Sequence, residues 1–212
     1  NVYLHYVLDL WFEKCIKKQL YGEAYLVRFA DDFLIMFQYE RDAQRVYEAI
    51  IKRMELFGLE LSKEKTRILP FGRNCGTRET FDFLGFTHFN SKTRKGYYTV
   101  GHKISRKKKK QFKSNLKKWV KENRNTQFDE FMKALNKKLT GSFNYYSLSG
   151  MIREVRNLWH HSLYVTFKWM NRRSQRRSFK LERFYEIWND RIIHPYIHVD
   201  IWNGDKVIYN KN

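Results

Sequence analysis

With 212 residues, of which 42 are Lys or Arg and 22 are Asp or Glu, the chain carries a formal net charge of +20. Apolar residues at 42% and aromatics at 17% are too many for a disordered basic tail, so a packed core is expected. No run of about 18 apolar residues occurs, which excludes a spanning helix, and the lone cysteines Cys15 and Cys75 offer neither a disulfide framework nor zinc-ligand spacing.

This cysteine usage fits a reducing cytoplasm. Neither a signal peptide nor a Met opens the chain, and its start reads as the middle of a helix, pointing to a fragment. Residues 2–20 read as that helix, with Leu4, Val7, Leu8, Trp11 and Cys15 on one stripe, ended by Gly22. Ala24 to Phe29 and Phe33 to Phe37 are short apolar runs separated by Ala30, Asp31 and Asp32, the pattern of a β-hairpin. Residues 40–57 predict an amphipathic helix, with Gly58 where a left-handed cap is wanted. Leu59 to Leu61 and Thr66 to Leu69 read as strands around the turn at 62–65, and 70–78 as a loop. Phe81 to Phe89 reads as one aromatic strand holding Gly85, and Tyr97 to Val100 as its partner across the basic turn at 92–96. A boundary is expected at about 101–105.

Beyond it the pattern predicts helices over about 106–122, 127–139, 150–171 and 181–189. Trp119, Trp159 and Trp169 fall at helical spacing, where a core role outweighs base stacking. The charge changes with the pattern. Residues 1–101 carry 16 basic and 13 acidic side chains, whereas residues 102–212 carry 26 and 9. A near-neutral first part and a strongly basic second part suggest different tasks, the second facing a polyanion. Arg and aromatics interleaved with the Lys runs favour nucleic acid over a plain basic domain or a membrane surface.

Asp31 and Asp32 are the sharpest feature. Adjacent carboxylates between apolar strands repel each other, and a divalent cation resolves the conflict. Mg²⁺ prefers carboxylate oxygens and bridges to phosphates, and a pair of such ions serves nucleotidyl transfer. The alternative is an ordinary turn, where Asp is common.

Tyr25-Leu26-Val27-Arg28-Phe29-Ala30-Asp31-Asp32-Phe33-Leu34-Ile35 resembles the active-site hairpin of reverse transcriptases, with Phe29 in the usual Tyr position. Gly58-Leu59-Glu60-Leu61-Ser62-Lys63-Glu64-Lys65-Thr66-Arg67 and Phe81-Asp82-Phe83-Leu84-Gly85-Phe86 follow in order. Together they resemble the last palm motifs of bacterial group II intron-type reverse transcriptases. Asn1 to Asp9 resembles the helix that precedes the hairpin there. Leu135 to Tyr146 and Trp169 to Gln175 resemble the thumb, or maturase X, segment.

The resemblance implies an α+β fold: a partial palm over 1–104 (antiparallel sheet with helices), a helical thumb over 105–190 and an extension over 191–212. It implies an RNA-directed DNA polymerase fragment of cytoplasmic, bacterial origin. The alternative is a non-catalytic maturase-like module that assists intron splicing. Asp31 and Asp32 would hold two Mg²⁺ ions. Lys65, Phe29 and Ala30 would lie near the incoming deoxynucleoside triphosphate and the primer end, and Leu84 and Gly85 would form the primer grip. A solvated turn remains the alternative for Lys65, and a β-bulge for Gly85.

Lys107, Lys108, Lys109, Lys110, Lys113, Lys117 and Lys118 would contact phosphates, as would Lys137, Lys138, Arg172, Arg173, Arg176 and Arg177; a solvated face is the alternative. Partners would be an RNA template and a DNA primer and, on the maturase side of the resemblance, group II intron RNA, with no membrane. The family's third catalytic carboxylate, its Gln-Gly template segment and its fingers are not in this sequence. This chain alone should therefore not polymerise efficiently: it is a truncated piece, one partner of a split enzyme with a complementing N-terminal half, or a decayed copy.

Overall fold

The first helix, α1 (residues 2–19), winds wider than an α-helix over most of its length in the computed structural model. Val2–Leu4 is α-helical, His5–Leu10 and Phe12–Ile16 are π-helical, and Lys17–Gln19 tightens to a 3₁₀ turn. The structure describes residues 2–62, 64–173 and 178–197. Val7, Leu8 and Phe12 are buried, Trp11 is half-buried and Cys15 is exposed, so the buried face runs from Leu8 to Phe12 rather than on to Cys15.

The chain divides into two units, Asn1–Leu84 with Phe89–Val100, and Gly85–His88 with Gly101–Asn212. In the first, β1 (Ala24–Phe29) and β2 (Asp32–Phe37) form an antiparallel pair whose register runs from Ala24↔Phe37 to Phe29↔Asp32. The loop is thus two residues, Ala30 and Asp31, not three. Alternate residues Leu26, Phe33, Ile35 and Phe37 pack on the core formed by Val7, Leu8, Phe12, Ala24, Val46, Ile50 and Met54. The last three of these come from α2 (Glu40–Leu56). Gly58, at φ 66°, closes α2 as expected: Leu59 N–H donates to the Met54 carbonyl at 2.9 Å and Gly58 N–H to that of Glu55 at 3.0 Å.

The strands expected at 59–61 and 66–69 do not form. Leu59 and Leu61 lean on the core, but no strand pairs with them. Instead, Lys65 and Thr66 N–H groups donate to the Ser62 carbonyl at 3.0 and 2.9 Å, closing a turn. The single strand expected over 81–89 is in fact two, β3 (Thr80–Phe83) and β4 (Phe86–Lys92), broken at Leu84 (φ 50°) and Gly85 (φ 82°). Positive φ at both central residues marks a tight hairpin turn, which matches strand twist, in place of either the continuous strand expected or the bulge that was its alternative. β5 (Tyr98–Ile104) completes a sheet of order β3-β4-β5. The architecture is α+β, as expected from the sequence.

The second unit holds α3 (Arg106–Asn123), α4 (Phe128–Tyr146), α5 (Ile152–Met170) and α6 (Leu181–Arg191). α4 runs seven residues past its expected end. Leu139 and Phe143 keep the buried stripe going, and their burial outweighs the roughly 1 kcal/mol that Gly141 costs within a helix. Trp159 and Trp188 are buried, with ring centroids 6.0 Å apart. Trp119 and Trp169 are half-buried.

Candidate active-site hairpin and nucleic-acid interface

Strand alternation decides what the β1–β2 hairpin presents. One face goes to the core. The other carries Tyr25, Val27 and Phe29 opposite Met36, Leu34 and Asp32. This outer face is open: Tyr25 is 52% exposed, Val27 45%, Phe29 65% and Met36 47%. The register therefore brings Phe29, Ala30, Asp31 and Asp32 together at one end, with the Phe29 ring directly across from Asp32.

Both carboxylates are exposed, and neither has a hydrogen-bond or ion-pair partner among the described residues. The burial cost anticipated from the apolar flanks is absent, because the tip projects clear of the core. The donor set suits a hard cation: two exposed carboxylates, one on the two-residue loop and one at the first residue of β2, with open sides for water or phosphate oxygens. Among the described residues, no group of three or more His, Cys, Asp or Glu side chains is placed to share a metal ion. Two carboxylates alone would fill only part of such a cation's coordination shell.

Ala30 has φ 56°, a left-handed conformation that costs a side-chain-bearing residue about 1 kcal/mol. The neighbouring Arg28 is on the inner face, 13% exposed. Its Nη1 donates to the Ala30 carbonyl at 2.8 Å, while Nε and Nη2 donate to the two Asp9 oxygens of α1 at 2.7 and 2.6 Å. Hydrogen bonding from Arg28 holds the Asp9 carboxyl below its ordinary pKa of 3.8, against the opposing desolvation, and His5 Nδ1 at 3.3 Å adds to the lowering. Sequence reasoning gave neither Arg28 nor Asp9 a role. The signal was present, since an Arg at an inward strand position needs a buried partner.

Lys65 is exposed on the turn after α2, and no hydrogen bond or ion pair among the described residues joins it to the hairpin. Leu84 and Gly85 form the β3–β4 turn. A Cβ on Gly85 would lie 3.4 Å from Lys108 Cγ and 3.6 Å from the Tyr146 hydroxyl, and the Gly85 carbonyl accepts from Ser105 N–H at 2.9 Å. The close approach at this glycine is therefore to the start of α3.

Ser105 caps α3, and Lys107, Lys108, Lys110, Lys113, Lys117 and Lys118 are exposed along it. Lys109 differs: it is half-buried and paired with Glu154 of α5 at 2.5 Å. Lys137 and Lys138 are exposed on α4, with Lys138 Nζ 5.8 Å from the Trp119 ring centre. Arg172 lies 5.5 Å from the Trp169 ring centre, as do Lys121 and Arg124 at 5.8 and 5.3 Å, two cations the sequence reading did not single out. Arg173 is half-buried and donates to the Met170 carbonyl at 3.3 Å, finishing α5. Arg176, Arg177 and residues 198–212 lie outside the described residues.

Two family models match successive parts of the chain. Residues 1–88 match the family model for reverse transcriptase (RNA-dependent DNA polymerase). Residues 109–186 match that for the group II intron, maturase-specific domain. No curated protein matches the chain. A reverse-transcriptase segment followed on one chain by a maturase-specific segment places the protein in the group II intron reverse transcriptase/maturase family.

Proposed function

We propose that the chain contributes the two-aspartate hairpin and the basic thumb of an RNA-directed DNA polymerase, with intron RNA or an RNA–DNA heteroduplex held by the second unit. The observation that carries the proposal is the hairpin tip, where two carboxylates without partners among the described residues stand at a tight strand-anchored bend beside an exposed aromatic ring. Asp31 and Asp32 would hold Mg²⁺, which when bound would stabilise charge on the reacting oxygens. Phe29 offers a flat surface for the primer end, and Ala30 leaves room beside it. Lys65 would meet the triphosphate, Leu84 and Gly85 the primer strand. The exposed lysines of α3, with Arg172, would neutralise backbone phosphates.

A second reading, an RNA-binding maturase module without catalysis, is favoured by the charge of residues 102–212 and by the maturase-specific match. Asp31→Ala separates the two. In primer extension on an RNA template, with the complementing half added, the polymerase reading expects loss of extension at unchanged RNA affinity. Extension that survives the substitution would overturn it.

A further inference from the structure

A strained turn keeps its shape only if its surroundings over-determine it. Ala30 is such a turn residue, and its carbonyl is held by a single side chain, Arg28, which is itself gripped at both remaining nitrogen positions by Asp9. The planar guanidinium fixes all three bonds in one plane. The anchor comes from α1, whose Val7, Leu8 and Phe12 are sunk in the core, so it is tied to the rigid part of the unit. Asp9 is a quarter exposed and Arg28 less so, and such a fork is stronger and more directional than a surface pair. Lys could keep the charge but not the geometry.

Resting on the metal role of Asp31 and Asp32, we propose that Asp9 and Arg28 are positioning residues: they lock the Ala30 carbonyl inward and so hold the two carboxylates at the aim that cation binding needs. Neither touches the cation or the substrate. They act only through the backbone of Ala30. Partners of this outer kind, when lost, weaken metal affinity about 10- to 100-fold while leaving the ligands in place.

The test uses the full chain, with Arg28→Lys, Asp9→Asn and, as a control, Asp31→Asn. Three quantities are read by nuclear magnetic resonance. The intra-residue amide–Hα Overhauser effect of Ala30 reports its positive φ, amide exchange at Asp31 and Asp32 reports opening of the turn, and line broadening by Mn²⁺ reports cation binding. For Arg28→Lys and Asp9→Asn the expected result is a weakened Overhauser effect, exchange faster by about tenfold, and Mn²⁺ affinity lower by about tenfold or more. Amide shifts in the α2 core and affinity for RNA should not change. Asp31→Asn should abolish Mn²⁺ broadening and leave the Ala30 signal intact. If both brace variants keep the Ala30 geometry and exchange of the native turn, the proposal is overturned, even should their melting temperatures fall. If the native chain shows no Mn²⁺ broadening at Asp31 and Asp32, the metal reading fails separately, and the Ala30 signals still decide whether the brace shapes the turn.

Discussion

The α3 lysines give the most quantitative prediction. The helix buries Leu116 and Val120, so Lys107, Lys110, Lys117 and Lys118 face away from the core, while Lys109 is drawn inward to Glu154. If each outward lysine neutralises one phosphate of a duplex, each contributes about 0.9 to the slope of log affinity against log salt. Changing all four to Gln should reduce that slope by about 3 to 4. Between 50 and 200 mM salt, the variant should then lose about a hundredfold less affinity than the native chain does. Lys109→Gln should leave the slope nearly unchanged. It should instead cost stability of up to about 1 kcal/mol, since the pair it breaks is only partly screened from water. Fluorescence anisotropy of labelled duplex across a salt series reads the slope, and urea unfolding reads the stability. A fall in slope for Lys109→Gln equal to that per outward lysine would refute the inward assignment. An unchanged slope in the fourfold variant would refute phosphate contact by this face.

Three further outcomes follow from the first unit. Phe12→Ala should cost about 3–5 kcal/mol, because the ring is fully buried, whereas Cys15→Ala should stay within about 0.5 kcal/mol; urea unfolding separates them. Ala30→Gly should be near neutral, since relief of the left-handed strain offsets the entropy glycine adds to the unfolded chain. Ala30→Val should cost about 1–2 kcal/mol in the same assay, and equal effects would contradict the φ at this position. The Asp9 carboxyl is held below its usual pKa in the folded state, so its contribution to stability is complete above about pH 3.8. It is lost as the pH falls through the lower folded value. Asp9→Asn should flatten the acid limb of the unfolding profile, and an unaltered limb would contradict the pairing with Arg28.

Much of this was legible in the sequence because the dominant signals are local. The α2 stripe ending at Gly58, the helix that begins at about residue 106 and the Asp31–Asp32 bend all depend on neighbours a few residues away. What was not legible depends on partners far along the chain. Leu59 and Leu61 alternate like a strand, yet a strand needs a partner to pair with, and among the described residues none pairs with them. Leu84–Gly85 could be a bulge or a turn until the pairing of the flanking segments is known. Phe12 stands four residues after Leu8 and shares its buried face, a position outside the stripe read from Leu4, Val7, Leu8, Trp11 and Cys15. At the site, the acids announce themselves, but Arg28 looks like one more cation until its inward parity and the position of Asp9 are seen together. Lys109 likewise cannot be told from its neighbours without α5.

The most direct measurement is anomalous diffraction from a crystal of the chain soaked in Mn²⁺. A manganese peak within coordination distance of Asp31 and Asp32 carboxylate oxygens, lost in Asp31→Asn, is the predicted result. Full soaking with no peak at the β1–β2 tip, and a peak elsewhere or none, would contradict the central claim.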